Sequence, residues 1–145
     1  MKLIPFIISL TAILPAAYSD TVRYDRVYDN RNTSLADVAC SDGENGLITK
    51  GYNTFGDLPS FPNIGAAYAV EGYNSASCGS CWELTYTKSD ETTNTIYVTA
   101  IDHAGDGFII AGTALEDLGG QQAIDAGHIE VTANRVAGSN CGFQS

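Results

Sequence analysis

Cys78-Gly79-Ser80-Cys81-Trp82-Glu83-Leu84-Thr85-Tyr86-Thr87 is the stretch on which the fold turns. Its first four residues carry the C-x-x-C spacing of a redox dithiol or half of a zinc site. A redox pair opens a helix after a strand, yet residues 82–87 alternate apolar and polar like a strand with one buried face. Zinc would need two more ligands at close spacing. Cys40 and Cys141 are distant in sequence, and the histidines, His103 and His128, share no motif with them. Structural disulfides are the better reading. Four cysteines allow three pairings, and the sequence does not choose among them. Joining Cys78 to Cys81 would close a tight, strained ring, so each is expected to reach a distant partner. Loops of about forty and sixty residues closed this way would each stabilise the fold by about 3–4 kcal/mol.

Outward from this strand, similar runs recur at Val22 to Tyr28, Thr95 to Ile101 and His128 to Val136. Each mixes β-branched and aromatic residues with polar ones at period two. Glycine-rich breaks at 42–46, 105–107 and 119–120 separate them. Residues 113–118 read as a short helix, with Thr113 as N-cap, Glu116 three residues on and Gly119 as the stop. A second short helix is expected over Gln121 to Asp125. Many short strands with one or two small helices imply a closed or nearly closed β-barrel.

The start of the chain reads as a secretory signal peptide, residues 1–19. Lys2 supplies the positive end, Leu3 to Leu14 the apolar stretch, and Ala17-Tyr18-Ser19 the small residues of a cleavage site. A dozen apolar residues span only about 18 Å of helix, against a hydrocarbon core of about 30 Å. The mature domain is then 20–145, about 125 residues, enough for one hydrophobic core. Removing residues 1–19 leaves six of the seven basic side chains against all seventeen acidic ones. Such a chain repels nucleic acid and anionic lipid, so neither is an expected partner. The acidic residues are scattered as on a solubilising surface, with no calcium-loop pattern, and no cofactor is expected. Asn32-Thr33-Ser34 is an N-glycosylation sequon in a polar, turn-like segment, pointing to a surface glycan on Asn32.

Chemistry concentrates in residues 100–108, Ala-Ile-Asp-His-Ala-Gly-Asp-Gly-Phe. Asp102 ends a strand beside a glycine-rich turn that carries Asp106. It either presents a carboxylate to a groove or caps the turn by accepting from backbone amides. Glycoside hydrolysis would need a second, opposed carboxylate. Asp42, Asp57 and Asp106 are candidates, but nothing in the sequence pairs any of them with Asp102. His103, as a strand neighbour of Asp102, points to the other face, which argues against a triad. The tract 52–63 combines aromatic rings, small polar groups and prolines, as a carbohydrate groove requires. Phe55, Phe61 and Trp82 are expected in the core, and Tyr52, Asp57 and Asn63 nearer the surface.

Together these residues resemble the cerato-platanin family of small secreted fungal proteins. The matching stretches are Val22 to Asp25, Val38 to Gly43 with Gly46-Leu47, Leu58 to Gly65, Ser77 to Trp82, and Asp102 to Phe108. The resemblance implies a six-stranded double-psi β-barrel with disulfides Cys40–Cys78 and Cys81–Cys141. It also implies binding of chitin or N-acetylglucosamine oligomers in a shallow groove, and loosening of cellulosic material without cutting it. Family members are found in the fungal wall and in culture fluid, and often provoke plant defence. Asp102 aligns with an acid of the related expansin and endoglucanase sites, whose partner carboxylate the family lacks. The expected binding residues are Asp102, Tyr52, Asp57, Asn63 and Asp42. Residues 66–73 and 88–94 depart from the family pattern. Two other functions compete with non-catalytic binding: weak endo-β-1,4-glucanase-type hydrolysis through Asp102, and a receptor-recognised or self-assembling surface protein.

Overall fold

The computed structural model describes residues 19–144. The signal-peptide reading falls on residues outside these, apart from Ser19. Six strands close into a barrel: β1 (Asp20–Tyr24), β2 (Ile64–Ala67), β3 (Cys81–Thr87), β4 (Thr93–His103), β5 (Phe108–Ile110) and β6 (His128–Val136). Around the barrel they run β1-β5-β2-β4-β3-β6. The pairs β1–β5 and β2–β4 are parallel and the remaining four antiparallel. Among the described residues, closure leaves no strand at a sheet edge.

The period-two runs become strands where one face is buried and the other wet. Trp82 pairs with Val98 and Leu84 with Ile96, and these four side chains enter the core with Ile129 and Val131 of β6. The run Val22 to Tyr28 behaves differently. β1 stops at Tyr24 because the Asp25 carboxylate accepts from the amide of Val27 at 2.9 Å, turning residues 26–29 into a 3-10 turn. That turn buries Tyr28, which a continued strand would have left elsewhere. Strands β2 and β5 carry no period-two signal, since all four residues of β2 are buried and β5 is three residues long. At Gly65 strands β2 and β5 lie so close that a β-carbon would run into the Ile109 carbonyl.

Helix α1 (Gly112–Ala126) is two helical stretches joined at Gly120, whose φ of 76° and ψ of −176° break the helix. The expected stop therefore falls one residue late. Thr113 is not the N-cap. The Asp29 carboxylate caps the helix from the 3-10 turn after β1, accepting from the amides of Gly112 and Thr113 at 2.9 Å each. A long-range cap of this kind has no local sequence signature.

The cysteines form two buried bridges, Cys40–Cys78 and Cys81–Cys141, with Cα separations of 5.4 and 5.8 Å. One ties the loop after β1 to the segment entering β3. The other ties the start of β3 to the last 3-10 turn, Gly138–Cys141. Phe55 and Trp82 lie in the core, and Phe61 packs half-buried on it beneath the Arg31 guanidinium.

Candidate carbohydrate site

Asp102 sits at the end of β4 with its side chain half-buried. Its Oδ1 accepts from the amides of Ala39 at 3.0 Å and His103 at 2.9 Å, and its Oδ2 accepts from the Tyr28 hydroxyl at 3.0 Å. The carboxylate thus joins the 3-10 turn after β1, the segment entering Cys40, and β4. A carboxylate offers about four lone-pair positions. Three donors from the protein leave about one for a ligand hydroxyl. Turn capping is therefore present at this residue, with the carboxylate left half-buried rather than enclosed.

Burial, then the Asp102 charge and the hydrogen bond to it, push the Tyr28 phenol well above its ordinary value. Tyr28 accordingly remains a donor throughout the physiological range. A phenol raised in the folded state contributes stability that is whole below its unfolded value of about 10 and is lost as pH rises beyond it. Thermal melts from pH 8 to 11.5 are expected to show a steeper alkaline decline for the native chain than for Tyr28→Phe. Equal slopes would remove Tyr28 as the source.

His103 turns away from the carboxylate. Its Nδ1 lies 2.7 Å from the Val70 carbonyl, fixing the loop after β2 against the end of β4. The turn 104–107 then folds back tightly. Gly107 has a φ of +54°, and a β-carbon there would strike the Thr21 carbonyl, so the turn lies hard against β1. Asp106 pairs with Arg23 at 3.4 Å, both exposed, an ion pair of little stabilising value.

Asp42 lies three residues beyond Ala39, on the same segment that donates to Asp102. It accepts from the Tyr73 hydroxyl at 2.7 Å, a bond that, ahead of burial, raises the Tyr73 phenol. Asn74, with a φ of 59°, holds the other side through its Oδ1, which accepts from the Asn45 amide at 2.8 Å. Asp42 therefore sits on the chain segment that braces Asp102, three residues from the donating amide of Ala39.

The other expected site residues fall elsewhere. Tyr52 packs edge-on against Phe143, with ring centres 5.7 Å apart, in a depression of about 590 Å³ that also includes Lys50 and Pro59. Asn63 lines an adjoining depression of about 370 Å³ with Ser60, Tyr97 and Asn140; Pro59 and Gly142 belong to both. Asn63 also uses its carbonyl to accept from Ser60 Oγ and the Thr99 amide. Asp57 closes a capping box, accepting from the amides of Asn53 and Thr54 at 3.0 Å each. Those two bonds hold its carboxyl below the ordinary carboxylate range. The five residues thus divide into Asp102 with Asp42, Tyr52 with Asn63, and Asp57 as a cap. Asn32 is exposed in the turn before Thr33.

Sequence reasoning missed Tyr28, the Ala39 amide and Tyr73, which hold the two carboxylates. Tyr28 is concealed by the strand-like alternation of its run. The Ala39 amide has no side-chain signature at all. Asp42, Asp57 and Asp106, the candidates for a second hydrolytic carboxylate, each have partners of their own and share none with Asp102.

Comparison with known proteins places this architecture. A family model described as cerato-platanin matches residues 20–143. The heat-stable 19 kDa antigen of Coccidioides immitis is 42% identical over 137 residues, spanning 94% of this chain and 90% of its own. The crystal structure of cerato-platanin 1 from M. perniciosa superposes with a TM-score of 0.81 at 46% identity, covering 84% of this chain and 98% of that one. The solution structure of the fungal elicitor cerato-platanin gives 0.71 at 34% identity, over 83% and 95% respectively. With a matched model from β1 to the turn after the last cysteine, and with the barrel and both bridges in place, this chain belongs to the cerato-platanin family.

Proposed function

We propose that this protein is secreted and binds polysaccharide of the fungal or plant cell wall, chitin or N-acetylglucosamine oligomers first, and loosens it without cutting. The observation that carries the reading is the Asp102 carboxylate, half-exposed and already engaged by three protein donors. A group so engaged can take one more hydroxyl. It is poorly placed to activate water, since that would break the contacts that hold it. A net hydrogen bond contributes only about 0.5–1.5 kcal/mol, so a shallow site should bind in the micromolar to millimolar range. Loosening would then be competition for hydrogen bonds between polymer chains. Cellulose is a second ligand on the same reasoning. In an amide-shift titration with chitin oligomers, residues around Asp102 and Asp42 are expected to move at millimolar ligand. If no amide near Asp102 or Asp42 responds, the site is misplaced. The glycan proposed on Asn32 would extend from the exposed 30–34 turn, which makes no hydrogen bond to Asp102.

A second reading, recognition by a plant receptor, is supported by one solved relative, which is described as a fungal elicitor. It predicts that Asp102→Asn, blunted in sugar binding, still triggers a plant response at full strength.

A further inference from the structure

The aromatic segment that crosses the barrel end from β2 takes no part in the hydrogen bonds to Asp102. Among the described residues the large apolar side chains left exposed are Val27 at 47%, Tyr68 at 45% and Tyr73 at 64%. Two of these three lie on residues 68–73. Tyr68 follows β2 directly, and its amide donates to the Gly107 carbonyl at 2.9 Å, against the turn after Asp102. Its ring stands on two buried aromatics: ring centres are 5.8 Å apart for Trp82 and 5.9 Å for Phe108, with Trp82 and Phe108 themselves edge-on at 5.4 Å. A ring held this way is fixed on its inner side and bare on its outer one. Ordering it on binding would cost little further side-chain entropy.

From this geometry we infer that Tyr68, with Tyr73, forms a stacking platform for a neutral β-1,4-linked glycan beside Asp102 and Asp42. The inference rests on the proposed polysaccharide binding and adds the surface that selects the chain. Several features point to a neutral, hydroxyl-rich ligand rather than an acidic one. Residues 64–77 contain no Lys or Arg and one charged side chain, Glu71. The acceptors beside Tyr73 are one carboxylate and one amide, Asp42, which takes the Tyr73 hydroxyl, and Asn74, the next residue in the chain. The chain as a whole carries a formal charge of −10, which opposes polyuronates. Stacking uses the C–H face of a pyranose, and a β-1,4 linkage keeps successive faces in a flat ribbon, whereas an α-1,4 chain coils away from a fixed surface. The loop is also pinned rather than loose, because the Val70 carbonyl is held by His103 between the two tyrosines.

Trp82 is the single tryptophan of the chain, and its contact with Tyr68 makes it an internal reporter. Chitohexaose and cellohexaose, titrated into the mature protein, are expected to change Trp82 emission saturably. Maltohexaose and polygalacturonate are expected to leave it unchanged. Tyr68→Leu should weaken binding of chitohexaose, measured by calorimetry, at least about fivefold, as loss of an aromatic contact would. Tyr73→Ala, on a largely exposed side chain, should weaken it without altering the thermal melt. Chitohexaose that binds the native chain calorimetrically while Trp82 stays silent would overturn the platform and leave the polysaccharide reading intact. So would Tyr68→Leu and Tyr73→Ala both binding like the native chain. A native chain that binds neither oligomer nor insoluble chitin would overturn both.

Discussion

Removing the Cys81–Cys141 bridge as Cys81→Ala/Cys141→Ala is expected to cost about 2–5 kcal/mol, as for native bridges of small secreted domains. The bridge closes a span of 60 residues, which the chain-entropy model places among the more stabilising loop lengths. Position adds to length. Cys81 opens β3 where it pairs with Thr99 of β4 and Val136 of β6, so the bridge anchors three strands at once. Beyond β6 the chain makes a 3-10 turn and a short tail, fixed otherwise by Gly142 against Pro59 and by the Phe143–Tyr52 contact. Without the bridge the tail should fray and the Tyr52 depression lose its wall. Guanidinium unfolding would show a lower midpoint and a larger m-value, because the unlinked denatured chain expands. The Cys40–Cys78 span is 38 residues. On loop length alone its removal should cost only a few tenths of a kcal/mol less. A loss below about 1 kcal/mol for the Cys81–Cys141 variant would mean that packing at Pro59 and Tyr52, rather than the bridge, holds the C-terminus.

How much of the fold and site was legible in the sequence depends on whether a feature is local. β3, β4 and β6 announce themselves because one face meets water, so Leu84, Ile96 and Val131 alternate with polar neighbours. β2 and β5 do not, because Ile64 to Ala67 are buried on both faces and Phe108 to Ile110 are too few to show a period. The same division runs through the site. Asp102 stands out by its own position at a strand end, and the capping of its neighbouring amide is local. The partners that define its chemistry, Tyr28 and Ala39, are 74 and 63 residues away. Asp57 illustrates the converse. Its carboxylate looked available for a ligand, yet a box with Thr54 closes within three residues, and the Thr54-to-Asp57 spacing was there to be read. Tyr52 and Asn63 share the tract 52–63 but reach the surface near the C-terminal tail, which no reading of that tract alone could supply. The helix cap from Asp29 belongs to the same class as the Tyr28 bond: contacts made by the turn after β1, which the alternation of residues 22–28 conceals.

Substitutions at Asp102 separate its structural from its binding role, and the choice of substituent decides the outcome. Asp102→Ala removes the acceptor for Tyr28, Ala39 and His103 together. Tyr28 is 7% exposed, so its hydroxyl would be left buried without a partner, at a cost of about 1–3 kcal/mol before the two amides are counted. The segment entering Cys40 would also lose the Ala39 bond to β4, keeping only the bond from the Cys40 amide to the Ile101 carbonyl. Asp102→Ala should therefore lose both stability and sugar binding, and lost binding in that variant would prove nothing about direct contact. Asp102→Asn has a different expectation. The amide oxygen can replace Oδ1 and keep both backbone donors, while the amide nitrogen faces Tyr28, whose hydroxyl can turn to accept. Stability should stay within about 1 kcal/mol of the native chain, with the charge gone and no free acceptor on the Tyr28 side. If Asp102 meets a sugar hydroxyl directly, Asp102→Asn should bind chitin oligomers several-fold more weakly while remaining fully folded at the titration temperature. Native binding in Asp102→Asn would make the residue a brace alone and shift recognition to the tyrosines and Asp42. The same pair of proteins tests catalysis. Reducing ends released from chitin or cellulose by the native chain and abolished in Asp102→Asn would restore the hydrolase reading, whereas a flat assay with intact binding fits a carboxylate that holds a sugar and leaves its glycosidic bond whole.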